Sequence, residues 1–227
     1  MKAILIVRSP MSRNQSIDQI LSDIQVAIDS ALANPTVQAY LTPFGYTPEK
    51  LQQGKALYQT ALAAQQRQKT EFAEQLGATA ALESLRDTAQ KYYAQHLKIA
   101  RIAFKNDAIA LAKLALTGDR KRSLSGWLAQ TQQFYRAALE DTRLQQGLAP
   151  YGVTTEKLTQ GQSAVDAVIA ANVTQETEKG EARQATQDRD AVLDTLEDWY
   201  SDYIAIARLA LEDNPQLLET LGIPVAS

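Results

Sequence analysis

The side chains with the widest chemical range are scarce in this sequence. The chain of 227 residues contains one histidine, His96, and no cysteine, which excludes thiolate nucleophiles, redox dithiols and cysteine-ligated zinc. A di-iron bundle needs Glu-x-x-His on two helices, and the residue three positions before His96 is Tyr93. The sequence also lacks a G-x-S-x-G, a G-x-G-x-x-G and a P-loop motif. We therefore predict no catalytic residue, no metal site and no cofactor.

Two arginines interrupt otherwise apolar runs, Arg101 within residues 99–104 and Arg208 within residues 206–211. A guanidinium on a nearly buried helix face needs a partner. The preferred interpretation is structural, with each arginine paired to an acid or to backbone carbonyls. Glu49 and Glu156 are the candidate acids for this pairing. The functional interpretation is a site for an anionic or carboxylate ligand that is duplicated by pseudo-symmetry. Its candidate residues are the two arginines and the tyrosines eight residues before them: Arg101, Arg208, Tyr93 and Tyr200.

Composition and charge indicate an all-α protein. The chain is rich in Ala, Leu, Gln and Glu and contains only 10 Gly and 7 Pro, so helix formers dominate. The formal net charge of -3 predicts no nucleic-acid partner, because such proteins usually present a basic surface. No apolar run approaches the length of a membrane span. We therefore expect a cytoplasmic protein.

The sequence resembles itself at an offset of 107 residues, where residues 38–54 align with residues 145–161. The matched motif positions are Pro43, Gly45, Thr47, Glu49 and Gly54 with Pro150, Gly152, Thr154, Glu156 and Gly161. The same offset aligns Tyr92–Tyr93 with Trp199–Tyr200, and the Ile-Ala-Arg triplet at 99–101 with that at 206–208. The pattern predicts an N-terminal leader (1–13), a first repeat (14–117), a linker (118–123) and a second repeat (124–224). The predicted fold is an internally duplicated antiparallel helical bundle, either two bundles in series or one composite bundle.

Each repeat is predicted to contain three main helices and a short fourth. The first helix has an apolar stripe with a spacing of three and four residues: Ile17, Leu21, Ile24, Ile28 and Ala31. Thr47 and Thr154 are predicted to cap the next helix. Polar stretches near 65–77 and 172–184 then suggest a hairpin, although one continuous helix fits the same periodicity.

Several residues have predominantly structural interpretations. Gly54 and Gly161 predict a close helix approach to the preceding turn. In each pair of adjacent aromatic residues, one ring is expected in the core and the other at its edge. His96 lies on an apolar stripe and is predicted to share a hydrogen bond. The charged residues 119–122 are predicted to be solvated.

The segment LTPFGYTPEKLQQG and the later KIARIA resemble a set of uncharacterised bacterial helical-bundle proteins. These proteins carry F/Y-G-Y/V-T-x-E-x-L-x-x-G followed by an I-A-R block. The resemblance implies a bacterial helical bundle and supplies no activity.

The leading functional prediction is a non-enzymatic helical scaffold or protein-interaction module with an unknown protein partner. An alternative is a small-ligand-binding or sensor bundle that uses Arg101 and Arg208. An enzyme that works with carboxylates alone is a third alternative. The sequence is also compatible with a homo-oligomer.

Overall fold

The structure is a computed structural model that describes residues 15–225, so the predicted leader lies outside the described residues. Every regular element in this range is helical, which confirms the all-α fold. The eight α-helices are α1 (Ile17–Ala33), α2 (Pro35–Leu41), α3 (Pro48–Ala103), α4 (Ala108–Lys113), α5 (Leu124–Glu140), α6 (Thr142–Leu148), α7 (Thr155–Ala210) and α8 (Pro215–Thr220). Two 3-10 turns, Thr42–Phe44 and Ala149–Tyr151, precede the long helices α3 and α7. None of the described helices has the apolar composition of a membrane-crossing segment.

The helices of the second half of the chain begin 107 residues after those of the first half. For example, α1 and α5 are both 17 residues long, and α3 and α7 are both 56 residues long. We call two residues separated by this offset counterparts. Each 3-10 turn ends at a glycine with a left-handed backbone, Gly45 (φ 82°) and its counterpart Gly152 (φ 75°). A residue with a Cβ atom adopts this conformation only at a cost.

The predicted hairpin in each repeat is wrong, because α3 and α7 run without interruption through the two polar stretches. These stretches contain no proline and are rich in Gln, Glu, Lys and Arg, which have high helix propensities. Gly77 and Gly180 each cost about 1 kcal/mol relative to alanine, which is too little to end a long helix.

Side-chain caps explain where several helices begin. The Ser16 hydroxyl accepts a hydrogen bond from the Gln19 amide at the start of α1, and Ser123 caps α5 in the same way. Before α3, the Thr47 hydroxyl accepts from the Lys50 amide at 3.4 Å, and Thr154 caps α7 at the same distance. The predicted caps at Thr47 and Thr154 are therefore confirmed.

The helices form two compact units, each with its own core. The terminal unit comprises residues 15–71 and 182–225, and the central unit comprises residues 72–181. The terminal unit contains α1, α2, α8, the beginning of α3 and the end of α7. The central unit contains α4, α5, α6, the end of α3 and the beginning of α7. Each compact unit therefore draws on both predicted repeats, 14–117 and 124–224.

In the terminal unit, α1 packs antiparallel to the beginning of α3. The Tyr58 hydroxyl donates to Gln25 Oε1 at 2.9 Å, and Lys55 pairs with Asp29 at 2.8 Å. The core contains the apolar stripe of α1, with Leu21, Ile24, Ile28 and Ala31 all buried as predicted.

In the central unit, α5 packs parallel to the end of α3. Trp127 Nε1 donates to Gln90 Oε1 at 2.6 Å, and six residues further along α3 His96 contacts Tyr135. Thr131 interrupts the apolar stripe of α5 and is fully buried, but its hydroxyl donates to the Trp127 carbonyl at 3.0 Å. The core of this unit is consequently apolar apart from a few polar groups that bond internally.

Candidate functional site

The motif that is repeated at an offset of 107 residues forms the turn before each long helix. Pro43 and Pro150 lie within the 3-10 turns, and the threonine caps follow them. The Thr47 hydroxyl also bonds to the Glu49 carboxylate, which lowers the pKa of Glu49 below its ordinary value. Thr154 lowers the pKa of Glu156 in the same way. Both acids therefore bond to the threonine that caps the helix, and neither forms the predicted ion pair with an arginine.

Gly54 and Gly161 permit close packing of aromatic rings against the long helices. A Cβ atom on Gly54 would overlap the Trp199 ring, and a Cβ atom on Gly161 would overlap the Tyr135 ring. The predicted close approach is thus present, but its partners are aromatic side chains and not the preceding turns.

Arg101 and Arg208 are exposed, which corrects the expectation that they lie on nearly buried faces. In each helix the residue immediately before the arginine, Ala100 or Ala207, is fully buried. A helix turns by about 100° per residue, so the arginine points away from that core. Neither guanidinium forms an ion pair with another described residue.

Each arginine nevertheless acts electrostatically on the tyrosine predicted beside it. Burial raises the pKa of Tyr93, and Arg120 and Arg101 oppose that rise. Burial and the Asp23 carboxylate raise the pKa of Tyr200 to about 12, and Arg208 opposes that rise. The structure therefore brings Tyr93 near Arg101 and Tyr200 near Arg208, in separate compact units.

The aromatic pairs follow the predicted core-and-edge arrangement only in part. Tyr93 is buried and Tyr92 is exposed, as expected. Phe134 and Tyr135 are both fully buried, contrary to expectation, with ring centroids 5.2 Å apart in an edge-to-face arrangement. The room that Gly161 leaves explains why the second ring enters the core.

Arg120 is half-buried and bonded, so the prediction of a fully solvated segment at 119–122 is wrong at this residue. Its Nη1 atom donates to the Tyr93 hydroxyl at 2.9 Å, and Nη2 donates to the Ala115 carbonyl at 2.6 Å. A guanidinium with several donors in one plane can hold a side chain and a backbone turn together. Arg120 therefore connects the linker to the core of the central unit through these hydrogen bonds.

His96 is 2% exposed and shares a hydrogen bond, as its position on the apolar stripe predicts. Its Nδ1 atom lies 3.2 Å from the Tyr135 hydroxyl. Burial, with a smaller contribution from Lys157, lowers the pKa of His96 below its ordinary value of 6.5. The imidazole is consequently neutral near pH 7 and structurally engaged.

An open pocket of about 490 Å³ lies beside Arg208 in the terminal unit. Its apolar lining consists of Leu211, Pro215, Leu218, Pro224 and Val225. Glu212 also lines it, and no sequence motif predicted a role for this acid. The signal that could have identified Glu212 is its position four residues after Arg208 in the sequence, just beyond the end of α7.

Four further apolar residues are exposed, although the sequence predicted no role for their side chains. Phe44 and its counterpart Tyr151 are 45% and 51% exposed, and Ile102 and its counterpart Leu209 are 58% and 54% exposed. The signal was the retention of an apolar residue at both positions of each pair, but sequence alone did not reveal that the side chains face solvent.

Comparison with known proteins found no match to any protein-family model, curated protein or solved structure. The resemblance to bacterial helical-bundle proteins therefore stays a prediction.

Proposed function

We propose that the protein is a non-enzymatic interaction module that arose by tandem duplication and presents two equivalent binding surfaces to a protein partner. The common offset of 107 residues between matching helices supports the duplication. A bacterial source and a cytoplasmic location belong to the same proposal.

The observation that carries this function is the paired exposure of apolar side chains. The first surface, in the terminal unit, consists of Phe44 and Leu209; the second, in the central unit, consists of Tyr151 and Ile102. Phe72 and Val173 lack this pairing, since their counterparts are Lys179 and Gln66. Leu85 and Tyr92 have apolar counterparts, Val192 and Trp199, but these are partly buried. An exposed apolar side chain at the same position of both repeats is the pattern expected when each repeat makes the same contact with a partner.

The two residues of each surface have chain neighbours that are buried in the same core cluster. Phe44 lies between Leu41 and Tyr46 in the chain, and both of these residues are buried in the same cluster as the neighbours of Leu209. Tyr151 and Ile102 likewise have buried chain neighbours that share one cluster. An aromatic ring and an aliphatic side chain held on a rigid core are typical anchors of protein interfaces.

The test is to purify the full chain from its cell of origin and to measure how much partner protein is recovered with it. The original chain is compared with variants in which the paired residues are replaced. Replacing Phe44, Leu209, Tyr151 and Ile102 by serine should lower partner recovery at least tenfold, because each buried anchor contributes roughly 1 kcal/mol or more. Restoring one surface should recover part of the binding, because two linked contacts act together.

The matched control is Phe72→Ser, which removes an equally exposed aromatic ring whose counterpart is a lysine. This variant should retain the partner. Photo-crosslinking groups at positions 44 and 151 should also capture one and the same polypeptide, whereas a group at position 72 should not. Equal recovery from all variants would contradict the proposal.

A second candidate function is the binding of a small ligand, and the pocket beside Arg208 favours it. Its volume lies within the range of about 300–1,000 Å³ that is usual for ligand sites. Native mass spectrometry of untagged protein from its source separates the two functions. A bound polypeptide supports the interaction module, and a small adduct of reproducible mass supports ligand binding.

A further inference from the structure

The pocket in the terminal unit combines an apolar floor with two opposite charges. Leu211 and Leu218 are buried and form its apolar base, while the exposed Arg208 and Glu212 line the same pocket. Pro215 belongs to the lining as well. A site of this kind can desolvate the apolar part of a small molecule and orient its polar part.

The two charges restrict the chemistry of the ligand. Neither Arg208 nor Glu212 has an ion-pair partner among residues 15–225, so both are available to a ligand. A simple carboxylate would pair with the guanidinium but would be repelled by Glu212, and a simple amine would meet the reverse situation. A molecule with both charges and an apolar group matches the whole lining.

From this match we infer that the pocket binds a free apolar α-amino acid. The ligand carboxylate pairs with Arg208, its ammonium group pairs with Glu212, and its side chain lies against Leu211 and Leu218. This inference rests on the second function proposed above and names the ligand class.

The counterpart positions in the central unit do not match the charges and the apolar side chain of an amino acid. Lys105 stands at the counterpart of Glu212, so it and Arg101 would both repel an ammonium group. Phe104 stands at the counterpart of Leu211 and is buried with a larger ring. The amino-acid site is therefore a property of the terminal unit alone, and Arg101 provides a matched control.

The test is titration of the full chain with L-leucine and L-phenylalanine, followed by isothermal calorimetry and by backbone amide NMR. We expect saturable binding with shifts at the amides of Leu211, Leu218 and Val225. Arg208→Gln and Glu212→Gln should each weaken the binding about tenfold or more, because each removes a charge-assisted contact. Arg101→Gln should leave the affinity unchanged.

Octanoate and hexylamine each carry an apolar chain and only one of the two charges. They therefore test whether the pocket binds small molecules other than amino acids. Binding of octanoate or hexylamine without binding of either amino acid overturns the inference and leaves the ligand-binding function in place. Absence of saturable binding by all four compounds overturns the inference. Loss of amino-acid binding in Arg101→Gln, with retention in Arg208→Gln, also overturns it, because the site would then lie elsewhere.

Discussion

The ring of Tyr135 occupies the space that a methyl group on Gly161 would need. In the terminal unit, Trp199 fills the corresponding space at Gly54. The two rings are not counterparts, because position 28 holds Ile where position 135 holds Tyr, and position 92 holds Tyr where position 199 holds Trp. The glycine is thus the common feature, and each core fills the vacant space with an aromatic ring from a different helix.

Replacing Gly161 by alanine should destabilise the protein. Overpacking against Tyr135 costs about 1–3 kcal/mol, and alanine returns about 1 kcal/mol of helix propensity, so we expect a net loss of up to about 2 kcal/mol. The control is Gly180→Ala in the same helix, where a Cβ atom would meet open space and should stabilise the chain. Urea unfolding of both variants checks the prediction, and equal stabilisation by both would show that the ring does not restrict position 161.

Proline at position 77 should be strongly destabilising, because Gly77 lies inside the continuous helix α3. Proline in a helix interior costs about 3 kcal/mol through a lost hydrogen bond and a steric clash. A hairpin turn at this point would accept the same residue with little change. The measurement is the free energy of unfolding, with Gly77→Ala as the control that should gain stability. Tolerance of Gly77→Pro would favour the hairpin.

The sequence was sufficient to predict the helical class, the caps and the apolar stripe of α1, because these depend on local chemistry and periodicity. The continuity of α3 and α7 was not predicted, because a polar stretch can be either a turn or a solvated helix face. The residue types in 65–77 and the absence of proline favour a helix, whereas their polarity and Gly77 favour a turn, so the pattern is compatible with both structures.

The candidate site was harder to predict because it depends on tertiary packing. Arg101 and Arg208 were placed near the core from the apolar residues around them, yet one residue along a helix changes the direction of a side chain by about 100°. The aromatic partners of Gly54 and Gly161 come from elements distant in sequence. Only the three-dimensional arrangement shows that Arg208 and Glu212 share a pocket.

Replacing Ala115 by glycine should stabilise the protein. This alanine has a positive φ of 51°, the only such value at a non-glycine residue between 15 and 225, and its counterpart Gly222 has φ 70°. Because the left-handed region is unfavourable for residues with a Cβ atom, Ala115→Gly should stabilise by about 0.5–1 kcal/mol. Thermal unfolding measures the change. The same substitution at Ala112, within α4, should destabilise, and stabilisation at both positions would refute the explanation.

Arg120 should contribute to stability through the Tyr93 hydroxyl and the Ala115 carbonyl. Arg120→Ala should cost about 1–3 kcal/mol, because it leaves partly buried acceptors without a charged donor. The exposed Arg122 is the matched control, and Arg122→Ala should change little. A double-mutant cycle with Tyr93→Phe isolates the contact between the two side chains. A coupling energy of zero would assign the loss to the backbone contacts alone.

Acidification should weaken the fold through His96, the only histidine of the chain. Burial and Lys157 lower the pKa of the folded imidazole, whereas the unfolded chain binds the proton with a pKa near 6.5. Below pH 6.5 the unfolded state therefore holds more protons than the folded state. The free energy of unfolding should fall with a slope of up to about 1.4 kcal/mol per pH unit until the folded pKa is reached.

The measurement is urea unfolding of untagged protein between pH 7.5 and 5.5, a range chosen to lie above the ordinary carboxylate pKa values of about 4. His96→Phe removes the titrating group while keeping a ring on Tyr135, so its stability should vary less over the range. The imidazole NMR signals should also titrate with a midpoint below 6.5. A midpoint above that value, or an equal pH dependence in His96→Phe, would show that His96 is not the group that couples folding to pH.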